Sequence, residues 1–175
     1  MLPYNAEWTA WYRELKDQIW PPVSDLASEI VHVGSTSIPG MSAKPIIDID
    51  LVAENLDDIE LFKERLSTIG YVHVGNLGIE DREAFKEIGT PLHRHNLYLV
   101  QRNSPAFRNH VLLKKHLQEN PESFKRYNDL KLTLADSTSS VDEYCMAKTM
   151  LILEFLEAEG VPESDIEQIR QENLS

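Results

Sequence analysis

At 175 residues, with 42% apolar and 26% charged side chains, the chain has the length and composition of one compact globular domain, residues 1–175. Its 29 acidic against 17 basic residues leave a formal charge of −12 with no Lys/Arg run, which excludes long nucleic acid and anionic membrane as partners and leaves room for a small phosphate-bearing ligand that brings its own divalent metal. The opening MLPYNAEWTAWYRELK lacks a basic start followed by an apolar run, so a soluble, cytoplasmic protein is expected; the lone Cys145 has no partner for a disulfide or a thiol-based zinc site and reads as a buried helical thiol.

In chain order, residues 5–19 space Trp8, Trp11, Tyr12 and Leu15 as a helix, which Pro21-Pro22 ends. Residues 29–34 (EIVHVG) and 45–52 (PIIDIDLV) read as neighbouring strands, with Ile47, Ile49 and Leu51 sharing one side of the second. Ile59, Phe62, Leu66 and Ile69 describe an amphipathic helix stopped by Gly70, and residues 71–74 return to strand. The GIEDRE stretch reads as a loop before residues 84–88, and residues 96–100 (NLYLV) complete a mixed sheet of four or five strands. From residue 104 onward the chain turns helical. Ser104-Pro105 and Asn120-Pro121 open two helices, Ser140 with Glu143 forms a capping box for a third, and a short fourth follows Pro162.

The chemistry concentrates on the second strand. Asp48 and Asp50, two residues apart, leave the same face, and two carboxylates about 6–7 Å apart at a core edge are unfavourable unless a cation lies between them. Oxygen ligands suit Mg²⁺. Upstream, a glycine after a strand lets the backbone approach a phosphate, so Gly34, Ser35 and Ser37 are candidate phosphate contacts. Lys44 either neutralises a phosphate or is a solvated loop lysine. His32 reads as a hydrogen-bonded structural histidine, and His93 and His95 (HRHN) as a polar turn.

Two lysines sit where apolar residues are expected. Lys148 interrupts the helical stripe of Tyr144, Ile152 and Phe155, and Lys131 that of Phe124, Tyr127 and Leu134. A shared anionic ligand, snorkelling to solvent, or pairing with Asp48 or Asp50 would each account for them.

A strand, Gly-Ser, some ten residues, then Asp-x-Asp resembles the signature of polymerase-β-type nucleotidyltransferases, and HVGSTSIPGMSAKPIIDIDLV (32–52) is similar to the hallmark of the GrpB family within that superfamily. The similarity continues through GIEDREAF (78–85), NLYLV (96–100), Phe107-Arg108 and the Tyr127/Lys131 and Tyr144/Lys148 pairs, covering roughly residues 5–157. The resemblance implies an α+β fold of the polymerase-β type: a mixed sheet flanked by helices, with residues 104–175 as its helical C-terminal part. It also implies Mg²⁺ or Mn²⁺ held by Asp48 and Asp50, a nucleoside triphosphate as substrate, and transfer of a nucleoside monophosphate to a small molecule or protein. Arg82 and Arg108 match positions that look basic in the family and suit phosphate or carboxylate recognition, or are ordinary surface charges. The superfamily's third carboxylate is replaced here by Asn96, which would lend a carbonyl oxygen to the metal, with Glu83 or Glu87 as stand-ins. That departure, and the fusion of GrpB-like domains to dephospho-coenzyme A kinase, leave a non-catalytic nucleotide- or coenzyme A-related binding module as the alternative.

Overall fold

The computed structural model describes residues 1–136 and 141–174, with side chains at 1–134 and 146–171. The expected capping box at Ser140 and the side chains of Tyr144 and Cys145 lie outside the described residues. Five strands, β1 (Glu29–Val33), β2 (Ile47–Ala53), β3 (Tyr71–Gly75), β4 (Arg82–Glu87) and β5 (His95–Gln101), form one mixed sheet in the order β1-β2-β5-β4-β3. Only the central β2·β5 pair is parallel; the remaining neighbours run antiparallel.

The helices among the described residues are α1 (Glu7–Ile19), α2 (Ile59–Ser67), α3 (Pro105–Glu119), α4 (Pro121–Asp136), α5 (Val141–Ala158) and α6 (Glu163–Leu174), of which α1, α2 and α3 lie on the sheet. The period of two in β2 divides the layers. Ile47, Ile49 and Leu51, all fully buried, face α1 and α2 and pack with Trp8, Leu15 and Phe62. The opposite face meets α3, where Val52 and Val100 pack on Phe107. Ser104 caps α3 by accepting from the Phe107 N–H at 3.2 Å, and Pro105 follows it inside the first turn.

Two elements differ from the sequence reading. Arg82 and Glu83, expected in a loop, open β4, because their backbones pair with Val100 and Leu99 of β5. Pro21-Pro22 ends α1 but continues as a single 3₁₀ turn through Val23. Among the described residues no helix is long and apolar enough to cross a membrane.

The helical half is tied to the segment leaving β1. Ile38 and Met41 share a cluster with Leu117, Tyr127 and Phe155, and the Ser42 N–H donates to Asn128 Oδ1 at 2.8 Å. Helix α6 packs through Ile166 on Leu153 and Leu156 and is held to α3 by the Arg108–Asp165 ion pair.

Candidate functional site

Asp48 and Asp50 leave the α3 side of β2, opposite the isoleucines. Asp50 is completely buried, whereas Asp48 is partly exposed beside the end of β1. Antiparallel pairing puts Val33 against Asp48, so the Gly34-Ser35 turn emerges next to that carboxylate. Gly34 adopts φ +70°, and a Cβ there would lie 2.3 Å from Asp48 Oδ2. Glycine is required on both counts. Ser37 Oγ donates to the Gly34 carbonyl at 2.7 Å and so braces the turn.

Each aspartate has one oxygen engaged. Asn96, opposite Asp48 across the parallel pair, donates its amide to Asp48 Oδ1 at 2.7 Å. His110 of α3 donates from Nδ1 to Asp50 Oδ2 at 2.7 Å, while Asp50 Oδ1 is buried without a hydrogen-bond partner. Burial raises the Asp48 carboxyl above its ordinary value, outweighing Asn96, His110 and Lys148, with Asp50 adding to the rise. Burial alone would lower the His110 imidazole, but the charge and hydrogen bond of Asp50, with Asp48 behind, carry it above its ordinary value.

The two out-of-place lysines reach this face. Lys131, only 2% exposed, donates to Ser35 Oγ at 2.9 Å and to the Ser42 carbonyl at 2.6 Å. Its partners are thus neutral oxygens rather than the carboxylate considered from sequence, and burial, reinforced by Lys148, lowers it to about 7. The Tyr127 ring centroid lies 4.9 Å from Lys131 Nζ, and Tyr127 lines the same cavity as Ser35. Lys148 stands within electrostatic reach of Asp48 and lines the same cavity.

That cavity, about 310 Å³, is lined by Gly34, Ser35 and Asp48 together with Arg82, Tyr98 and Asn109. The volume falls at the lower end of the range for small-molecule sites. Arg82, His110, Lys114 and Lys148 line it against Asp48 and Glu80, so the wall leans positive in a chain of net charge −12. Lys114 also donates to the His32 carbonyl at 2.9 Å.

Other candidates from the sequence stand elsewhere. Lys44 is exposed and outside the cavity wall, and Ser37 is occupied in its own turn. Glu83 and Glu87 project from the opposite sheet face, since they pair with Leu99 and Tyr71; Glu83 contacts His73 at 2.5 Å, and Glu87 lies 3.7 Å from His95. Neither can serve as the third acid, and Asn96 alone stands beside Asp48. Arg108 is engaged with Asp165. His32 is buried, stacked on Tyr12 and 3.0 Å from Thr36 Oγ1, and burial with Lys114 lowers it to about 4, which keeps it neutral. His93 stacks on Trp11, and His95 meets the Tyr71 hydroxyl at 2.7 Å.

Sequence reasoning passed over His110 and Lys114. The signal that exposed Lys131 was present for both: Phe107, His110, Lys114 and Leu117 follow one helical stripe, with two polar groups where apolar ones are expected.

The donor set can be tested for a metal. Among the described residues no cluster of three or more His, Cys, Asp or Glu side chains is arranged as a metal cage. Mg²⁺, however, is commonly held by one or two carboxylates together with substrate phosphates, and the unpartnered Asp50 Oδ1 beside Asp48 fits that mode.

A family profile described as GrpB protein matches residues 1–158. The chain belongs to the GrpB family. It is 32% identical over 149 residues to the UPF0157 protein YqkA of Bacillus subtilis, covering 85% of this chain but only 43% of that protein. The glutamate-rich protein GrpB of Alkalihalophilus pseudofirmus is 31% identical over 141 residues, covering 78% of this chain and 80% of the relative. A crystal structure of GrpB from Enterococcus faecalis superposes with a TM-score of 0.76 at 26% identity, covering 91% of this chain and 98% of the other. The α+β fold read from the sequence is therefore that of a GrpB protein, and the Gly-Ser turn stands beside the Asp-x-Asp strand as its motif implied. Helix α6 lies beyond the family match, yet its Gln168 and Ile169 line the cavity.

Proposed function

We propose that this GrpB-family chain is a cytoplasmic nucleotidyltransferase that binds a nucleoside triphosphate with Mg²⁺ or Mn²⁺ and transfers the nucleoside monophosphate to a small acceptor. The observation that carries the reading is the buried Asp50, with an unpartnered oxygen, beside Asp48 at a Gly-Ser turn, where Asp48 faces a cavity whose wall leans positive through Arg82, His110, Lys114 and Lys148.

The residues divide the work by charge. Asp48 and Asp50 would hold the metal, whose chemistry is to neutralise the triphosphate and the departing pyrophosphate. Gly34 N–H and Ser35 offer a cradle for phosphate oxygens, and Lys131 orients the Ser35 hydroxyl from behind. Lys148 and Lys114 supply further positive charge from the helical side. In the transfer the acceptor's oxygen bonds to the α-phosphorus as the bond to the bridging oxygen breaks. Pyrophosphate leaves with that electron pair, and the acceptor's proton passes to water.

A second reading rests on Asn96 and His110. With an amide in place of a third carboxylate and an imidazole on Asp50, the site would bind a nucleotide or a coenzyme A-related ligand without turning it over. A panel of nucleoside triphosphates with Mg²⁺ or Mn²⁺, measured for thermal shift and pyrophosphate release, separates the two. Stabilisation with release on adding acceptor pools is expected. Stabilisation without release supports the binding module, and neither effect contradicts both.

A further inference from the structure

The aspartate strand β2 lies between β1, which leads into the Gly34-Ser35 turn, and β4, which carries Arg82. Gly34 and Ser35, just beyond β1, and Tyr127 of α4 line the cavity. Arg82 belongs to β4, separated from β2 by β5, which at about 4.8 Å per strand sets its backbone roughly 10 Å from the aspartate strand. A transferred group held at Asp48 and Asp50 therefore has the phosphate cradle on one side and Arg82 on the other.

The Arg82 end carries polar groups without protein partners. The Arg82 guanidinium stacks 4.5 Å over the Tyr98 ring, and its Nε is buried with no hydrogen-bond acceptor. No carboxylate among the described residues pairs with it within 4.0 Å. Asn109 of α3 lines the same cavity with a buried Oδ1 that has no donor. These two orphans do not satisfy each other, and a ligand that accepts at one point and donates at another would satisfy both. The first turn of α3 opens at this end through Pro105 and Ala106, adding the positive pole of a 15-residue helix. Around them Ile79 of the β3–β4 loop and Ile169 of α6 supply apolar cover.

Resting on the transferase reading above, we propose that this end is the acceptor subsite and takes an aliphatic 2-hydroxy or 2-amino acid, with one carboxylate oxygen on Arg82, the other bonding to the α-phosphorus as the bridging bond breaks and pyrophosphate leaves with its electron pair, the adjacent hydroxyl or amino group donating to Asn109 Oδ1, and the side chain against Ile79 and Ile169. A planar guanidinium already fixed on an aromatic ring is pre-organised for a carboxylate. Because a site built for a hydrogen bond rejects an analogue that lacks it, the subsite discriminates by functional group more than by size.

The test uses matched probes on the full chain: leucic acid and L-leucine, 4-methylpentanoic acid, which lacks the 2-substituent, and 3-methylbutan-1-ol, which lacks the carboxylate. Ligand-observed NMR titrations of the wild type should rank one of the first two at least about tenfold above both truncated probes. Arg82→Gln should erase the advantage over the alcohol. Asn109→Leu should erase the advantage over 4-methylpentanoic acid and keep that over the alcohol, so the proposal survives a folding failure of either variant alone. Equal binding of all four probes, no binding by the wild type, or unchanged discrimination in Arg82→Gln overturns it. Mg-ATP titrated into the wild type in the same series tests the parent reading by itself, since failure to bind nucleotide removes the transferase while acid discrimination would still mark the subsite.

Discussion

Gly34→Ala is expected to destabilise the protein by on the order of 3 kcal/mol or more and to dismantle the site. The backbone at φ +70°, ψ −175° lies in a region essentially reserved for glycine, and a residue with a Cβ there costs about 1–3 kcal/mol. The second cost is local: a Cβ 2.3 Å from Asp48 Oδ2 must displace a carboxylate that Asn96 also holds. Gly70→Ala is the matched control. It shares a left-handed backbone, φ +89°, but has nothing within 4 Å of the added carbon. Urea unfolding of both variants isolates the collision, and equal losses would show that the Gly34–Asp48 approach is not as tight as described.

His110→Leu is expected to cost about 3 kcal/mol near pH 6, because it strands a fully buried carboxylate whose hydrogen-bond donor has gone. The figure is at the low end for a buried pair, since the imidazole side chain is 32% exposed. The pH dependence has a defined sign. His110 in the folded protein stands above its ordinary value of 6.5, so the stability it contributes is fully present below pH 6.5 and declines as pH rises through its raised value. The gap between wild type and His110→Leu should accordingly narrow in alkaline solution. Adding Asp50→Asn to His110→Leu should recover part of the loss, and a double-mutant cycle with no coupling would mean that the pair is not formed.

Much of the fold was legible because strand and helix periods differ so clearly here. The alternation of Ile47, Ile49 and Leu51 with Asp48 and Asp50 assigned both faces of β2, and the prolines at 105 and 121 marked helix starts that the structure retains. The start of β4 was hidden, because Asp81-Arg82-Glu83 has loop composition and becomes strand only through pairing with β5. For the site, Gly34, Ser35, Asp48, Arg82 and Lys148 line the same cavity, and Lys131 lies directly behind Ser35. Lys44 was drawn in by nearness in sequence to a motif whose loop turns away. His110 was missed because its helix was read for boundaries and not for polar residues on its apolar stripe. The opposing face of β4 could not be assigned to Glu83 and Glu87 without the register, which only tertiary pairing supplies.

The most direct test of the central claim is the melting of wild type and Asp48→Asn, each with and without Mg-ATP. Asp48 stands above its ordinary value of 3.8 in the folded protein, so its ionisation opposes folding, and the disadvantage grows as pH rises from about 4 through the raised value. The side-chain amide introduced by Asp48→Asn would still accept from Asn96 through its carbonyl oxygen. The mutant should therefore melt at or above the wild-type temperature without ligand at about pH 7.5, while the Mg-ATP-induced rise seen in the wild type disappears. A large fall in the melting temperature of the unliganded mutant, together with an undiminished Mg-ATP shift, would contradict the assignment of Asp48 to a metal-nucleotide site.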